Sequence, residues 1–181
     1  AAFNILLSHI TYRDRIPVGI PAAARQHWGL QNIIGLFVNT LILHGRVDAK
    51  ETFNQFLAQY QADALNALEY QDFPLEVIFA ELKIKYPEIS AFFNMLNIGT
   101  SAEERIEPFE SYHIEDIQET KFPIHCYITE YKNGIQVECH YFRELFKPGT
   151  IEKIMGIYKR ILENISVSPN KKIKDLVKKK E

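Results

Sequence analysis

The chain has 181 residues, enough for one domain or for one lobe of a larger one. Hydrophobic residues make up 46% of it, so it can bury a sizeable core, and its net charge of -2 gives no basis for nucleic-acid binding. No stretch reaches the ~18 consecutive apolar residues that cross a bilayer.

In chain order, residues 1–11 read as a buried helix with Phe3, Leu6, Leu7 and Ile10 on one stripe. No basic segment precedes them and no cleavage site follows, so they do not read as a secretion signal. Ile16 to Pro21 reads as extended, and Pro17 suggests an edge or irregular strand. Residues 22–32 form a polar connection. Ile33 to Leu43 is an apolar, β-rich run, predicted as a strand buried on both faces.

Asp48 is the expected N-cap of a helix carrying Phe53, Phe56, Leu57, Tyr60, Ala64, Leu65 and Leu68 at three- and four-residue spacing. Pro74 suits the start of a short helix over 75–82, with Val77, Ile78 and Leu82 as its apolar residues. Ala91 to Ile98 reads as a strand and 99–111 as a loop. Phe122 to Glu130 and Ile135 to Phe142 alternate as a hairpin turning at Asn133-Gly134. That turn sets Cys126 opposite Tyr141 and diagonal to Cys139. The two cysteines read as buried reduced thiols, with a disulfide as the alternative if their Cα atoms lie within about 7 Å, and two scattered cysteines point to a reducing, cytoplasmic setting. Thr150 is the expected cap of a last helix bearing Ile151, Ile154, Met155, Tyr158, Ile161, Leu162 and Ile165, and Pro169 ends it. The expected fold is α/β, a two-layer sandwich with a mixed β-sheet covered by helices. The domain is predicted to span 1–168. The lysine-rich stretch 169–181 reads as a solvated basic linker toward a following domain.

Catalytic constellations are scarce. The six histidines, His9, His27, His44, His113, His125 and His140, show no metal-ligand spacing, and there is no nucleophile elbow or phosphate-binding glycine loop. On a strand, Cys139 and His140 point to opposite faces, which argues against a Cys–His pair. His44 and Asp48 spell His-x-x-x-Asp, but so short a pattern recurs by chance and Asp48 is already assigned as a cap. Asn39 and Thr40 are polar groups on an apolar strand and need partners inside the protein. The Asn39 amide can bridge two backbone segments. Gln71 and Asp72 can clamp the loop ahead of Pro74 through side chain–backbone bonds. Arg25 can pair with a carboxylate or touch a phosphate, a structural salt bridge being the simpler role.

Two segments carry a resemblance. Ile34-Gly35-Leu36-Phe37-Val38-Asn39-Thr40-Leu41 and Tyr70-Gln71-Asp72-Phe73-Pro74-Leu75-Glu76 resemble the IGxFVNTLxLR and (H/N)QDYPFE segments of nonribosomal peptide synthetase condensation domains. Gly19, Pro21 and Arg25 keep their places in the family's DxxVGxPxxGR pattern, while Ala24 stands where a glycine is common. Arg143-Glu144-Leu145-Phe146 and the helix after it resemble the family's ending. Tyr70 replaces His or Asn. Residues 85–92 replace RDxSRNPLF, and Lys121-Phe122-Pro123-Ile124 replaces KFDL. His44 falls where an arginine often ends the first segment, and the paired-histidine HHxxxDG motif is missing.

The resemblance implies a chloramphenicol acetyltransferase-like lobe, the carboxy-terminal half of a catalyst that forms amides from carrier-bound thioesters. It implies no catalytic residue in this chain and no metal. Phe37, Asn39, Thr40, Gln71, Asp72 and Arg25 would shape the lobe interface and the substrate tunnel. No cofactor is implied as bound directly; the phosphopantetheine arms of carrier proteins would enter as substrates. The implied partners are the amino-terminal lobe, peptidyl carrier proteins and an adjacent adenylation domain. An epimerization-type domain and a noncatalytic docking module are the competing readings.

Overall fold

The computed structural model describes residues 1–30, 32–83, 89–96, 121–132 and 134–178, with 113–115 as backbone only. Six strands form one mixed sheet in the order β2-β1-β3-β5-β6-β4. They are β1 (Val18–Ala22), β2 (Asn39–Leu43), β3 (Ala91–Met95), β4 (His113–Glu115), β5 (Ile124–Tyr131) and β6 (Gly134–Tyr141). The β1–β2 and β5–β6 pairs are antiparallel, and β1–β3, β3–β5 and β4–β6 are parallel.

Helices α1 (Ala2–Thr11) and α4 (Pro148–Val167) cover one face. The reason lies in the alternation of the hairpin. Ile124, Cys126 and Ile128 of β5 and Val137, Cys139 and Tyr141 of β6 are buried in one cluster with Phe3, Leu6 and Leu7 of α1 and Ile151, Met155, Tyr158 and Ile161 of α4. Helices α2 (Phe53–Glu69) and α3 (Leu75–Leu82) lie beside edge strand β2. The α/β two-layer expectation holds.

Several local expectations are corrected. The run from Ile33 to Leu43 is not a doubly buried strand. Only Asn39–Leu43 pairs, while Ile34 and Leu36 are 102% and 94% exposed. Strand β1 is not at an edge, for it lies between β2 and β3, although β3 reaches only Val18 and Gly19 of it. The cap of α2 is Thr52, which forms a reciprocal box with Gln55. Asp48 instead accepts the Lys50 N–H at 2.8 Å and closes a turn. In α2 only Phe53 and Phe56 are buried, and Leu57 and Leu65 are exposed. In α3 it is Leu75 that is buried, whereas Val77 and Leu82 are exposed. Helix α4 begins at Pro148, ahead of Thr150, because proline's missing N–H costs nothing in a first turn. β3 ends at Met95. The rest of the expected strand beyond Leu96, and the loop over 99–111, lie outside the described residues.

The hairpin register also differs. Tyr131 pairs with Gly134, so Cys126 lies directly opposite Cys139 rather than Tyr141. Asn133 lies outside the described residues. Both thiols are free and buried, and burial pushes the Cys139 thiol up to about 12 and the Cys126 thiol well above its ordinary value.

The stretch after Pro169 is not wholly solvated. It forms a short helix, α5 (Ile173–Leu176), whose Ile173 and Leu176 are 4% and 0% exposed. Ile173 N–H donates to the Glu51 carbonyl at 2.9 Å and Lys174 N–H to that of Ala49 at 3.1 Å. The buried Asn164 amide of α4 donates to the Leu176 carbonyl at 2.7 Å. The lysines stay outside while two apolar residues, three apart, anchor the turn.

On the other face of the sheet, His125 stacks on Tyr127 at 3.9 Å and meets Phe92 edge-on at 4.7 Å. His140, across the strand pair and 6.4 Å away, carries Glu138 within 3.9 Å of its Nε2. Burial, and then His140, lower the His125 pKa from 6.5 to about 4. The unfolded chain therefore binds the proton that the folded chain refuses. Stability is expected to fall as pH drops from 6.5 through about 4, and denaturant midpoints of a His125→Gln variant should lose this slope.

Candidate functional site

The candidate residues come together at the open end of β2. Asn39, the first residue of that strand, donates its amide to two carbonyls of the turn between α2 and α3, Gln71 O at 2.8 Å and Phe73 O at 2.7 Å. Its Oδ1 accepts the Thr40 N–H at 2.8 Å. All three hydrogen-bonding positions of the side chain used here are filled by backbone, as expected of a half-buried amide.

Gln71 completes the lock. Its Oε1 accepts the Ala24 N–H at 3.0 Å, and its Nε2 donates to the Leu68 carbonyl at 3.0 Å. Gln26 donates to the same carbonyl at 3.1 Å. Strand β2, the α2–α3 turn and the connection after β1 are thus tied through two amide side chains.

Arg25 follows Ala24 directly. Its guanidinium donates to the carbonyls of Leu30, Ile33 (2.8 Å) and Gly35 (3.3 Å) and lies 4.2 Å from the Phe37 ring centroid. Its partners here are carbonyls and a ring, not the carboxylate expected of a salt bridge. Arg25 gathers the Leu30, Ile33 and Gly35 carbonyls around its own charge. Apolar side chains here are left outward: Trp28, ahead of these carbonyls, is 88% exposed, and Ile34 and Leu36 are 102% and 94% exposed.

Ala24 sits at φ 47, in the left-handed region that favours glycine. Its position is imposed by the Gln71 bond. Ala24→Gly is expected to raise stability by about 0.5–1 kcal/mol, read as a higher urea midpoint with an unchanged slope.

Thr40 lines a cavity of about 390 Å³ between β2, the end of α2 and α3. Tyr70 and Phe73 flank it; they are 68% and 57% exposed. Asp72 is exposed and joins none of these bonds. So the structure unites Arg25, Phe37, Asn39, Thr40 and Gln71, and leaves Asp72 aside. Sequence reasoning missed Ala24, Gln26 and the rim formed by Tyr70 and Phe73. For Ala24 a signal was present, an alanine at a position where the family often has glycine.

His44 and Asp48 line a second cavity of about 480 Å³, with Arg15, Arg46 and Glu51. No hydrogen bond joins them, and the Asp48 carboxylate is occupied by the Lys50 N–H. They do not form a base–orienter pair. Among the described residues no cluster of His, Cys, Asp or Glu could hold a metal ion, and no helix is long and apolar enough to cross a membrane. The site fixes backbone and shapes a cleft.

Comparison with known proteins gives the family and the fold. The family model described as "Condensation domain" matches residues 1–181. Gramicidin S synthase 2 from Brevibacillus brevis is 35% identical over 180 residues, which is 96% of this chain and 4% of that protein. Surfactin synthase subunit 1 from Bacillus subtilis (strain 168) is 32% identical over 185 residues, 97% of this chain and 5% of that protein. The chain thus spans a small part of these curated relatives. Among solved structures, a four-domain nonribosomal peptide synthetase bound to AMP and glycine superposes with TM-score 0.82 at 22% identity, covering 96% of this chain and 15% of that one. The X-domain from teicoplanin biosynthesis gives TM-score 0.78 at 20% identity over 96% of this chain and 42% of that one, and its complex with OxyB has also been solved. The first condensation domain of the CDA synthetase gives 0.70 at 14%, covering 96% and 40%. The family model over the whole chain and the 35% identity to a relative over 96% of it give the conclusion: this chain belongs to the condensation-domain family of nonribosomal peptide synthetases.

Proposed function

We propose that this chain is the carboxy-terminal lobe of a condensation domain that joins two carrier-bound thioesters by an amide bond. The observation that carries this reading is the match of 96% of the chain to only 40% of a solved condensation domain, together with the absence of any paired histidines in the sequence. In the reaction, the acceptor amine attacks the donor thioester carbonyl. The C–N bond forms, the C–S bond breaks, and the amine proton passes by way of a base to the departing thiolate. The base would belong to the part of the domain that this chain does not span.

The lobe's own contribution is position. The Asn39–Gln71–Ala24 lock keeps the β2 end, the turn and the loop in one rigid frame, and two reactants held in line need little further activation. The fixed apolar loop around Ile34 and Leu36 would contact the other lobe. Phosphopantetheine arms would bring both substrates, and carrier proteins and an adenylation domain would be the neighbours, in a reducing cytoplasm.

The test is a condensation assay with carrier-bound thioesters, read by mass spectrometry, on this chain alone and on this chain joined to the rest of its domain. Product from the joined form only is expected. Product from the chain alone would refute the reading. A noncatalytic docking module is the second reading. It is favoured by the likeness to an X-domain solved in complex with OxyB and by the loss of the family pattern over 85–92. It requires that the joined form also yield no product.

A further inference from the structure

The cavity beside Thr40 differs in kind from its neighbour across His44. Among the described residues eleven line it, and none of these is Asp, Glu, Lys or Arg. Its polar groups are few: the Thr40 hydroxyl, Tyr70 at the mouth and His44 at one end. The neighbouring cavity is lined by Arg15, Arg46, Asp48, Glu51 and Asp63. An apolar cleft of about 390 Å³ with sparse polar groups fits the usual dimensions of a small-molecule site.

The rim is held in place. Tyr70 and Phe73 flank the cleft while keeping most of their rings in solvent. Here the Phe73 and Gln71 carbonyls are each tied to the Asn39 amide, and the Gln71 side chain is tied to Ala24 and Leu68. The lock therefore acts on the cleft, because it fixes the turn that carries the two rings. Tyr70 also stands where the family pattern has His or Asn, and Phe73 where it has Tyr, so this rim is less polar than the pattern.

We infer that the cleft between β2 and α3, rimmed by Tyr70 and Phe73, receives the uncharged apolar side chain of a carrier-bound aminoacyl group and selects against charged ones. This rests on the condensation reading above. A carboxylate or ammonium entering the cleft would lose water there, and among the described lining residues only His44 could meet it with charge. An aliphatic or aromatic side chain would shed water from both surfaces.

The test has two arms. In the first, the joined domain competes leucyl, phenylalanyl, aspartyl and lysyl pantetheine thioesters in one reaction. Leucyl and phenylalanyl products are expected to exceed aspartyl and lysyl ones by about tenfold or more, and Ile78→Asp to shift the leucyl-to-lysyl ratio toward lysyl by a similar factor. An unchanged ratio with turnover intact overturns the inference and leaves the condensation reading standing. In the second arm, this chain is titrated with the amide analogue of leucyl-pantetheine and followed by nuclear magnetic resonance. Shifts at Thr40, Tyr70 and Ile78 that persist in the joined domain support the inference, even where the joined domain makes no amide and the condensation reading fails. No shifts there, or shifts that vanish once the remaining part of the domain fills the cleft, overturn it.

Discussion

Asn39→Asp is expected to cost about 2–3 kcal/mol, more than Asn39→Ala at about 1–2 kcal/mol. The two side chains are nearly the same size, so packing does not separate them. Hydrogen bonding does. The asparagine amide donates to the Gln71 and Phe73 carbonyls, and its oxygen accepts the Thr40 N–H. Aspartate keeps the acceptor and loses both donors. It sets a negative charge against two carbonyl oxygens, whereas alanine merely withdraws and lets water reach the turn. Urea denaturation of the two variants checks the order. An Asn39→Asp variant as stable as the parent would mean that the turn is held by something else. Gln71→Ala removes the second tie, to Ala24 and Leu68. Because both amides hold the same turn, the double variant should lose less than the sum of the two singles.

Leu176→Ala is the second large effect, expected at about 2–5 kcal/mol, or a fall in Tm of roughly 5–15 °C by calorimetry. Leu176 is fully buried, and its carbonyl accepts from the buried Asn164 amide at 2.7 Å. Trimming it leaves a cavity between α4 and α5 and loosens the backbone that satisfies Asn164. Deleting the chain beyond Ser168 should cost more. The Ile173 and Lys174 N–H bonds to Glu51 and Ala49, and the Phe53 N–H bond to Lys171, would go with it. If the deletion left Tm unchanged, the segment would be the linker that its lysines suggest.

The sheet and its helices were legible because burial follows period. Ile124, Cys126 and Ile128 alternate, and Ile151, Ile154, Tyr158 and Ile161 recur at helical spacing. The hairpin was found, but its register was set from the Asn-Gly pair and came out shifted. A shift of two in the pairing sum preserves the face, so every inward residue was still right while Cys126 gained the wrong partner. Ile33 to Val38 misled for a plainer reason. Apolar composition reports that a side chain gains by leaving water, not which surface it leaves water against, and here Ile34 and Leu36 remain outside. The lysine-rich tail misled in the opposite way, its charges outnumbering the two residues that decide its place. The lock at Asn39 could be read only in part. A partner-seeking amide was visible, but Gln71 lies 32 residues away, and no local spacing foretells that pairing. The starts of α2 and α4 were misplaced because Asp48 and Thr150 have capping chemistry, while α2 is capped by Thr52 and α4 starts at Pro148 behind Lys147.

The central claim is that this chain positions substrates and that the proton-transferring base lies outside its 181 residues. The most direct measurement is the pH dependence of kcat for the joined domain, parent against His44→Ala. His44 borders both cavities, so the height of the profile is free to change. The account predicts that the acidic limb, which reports the base, keeps its midpoint. A limb that disappears or moves with His44→Ala would place the base in this chain and contradict the account.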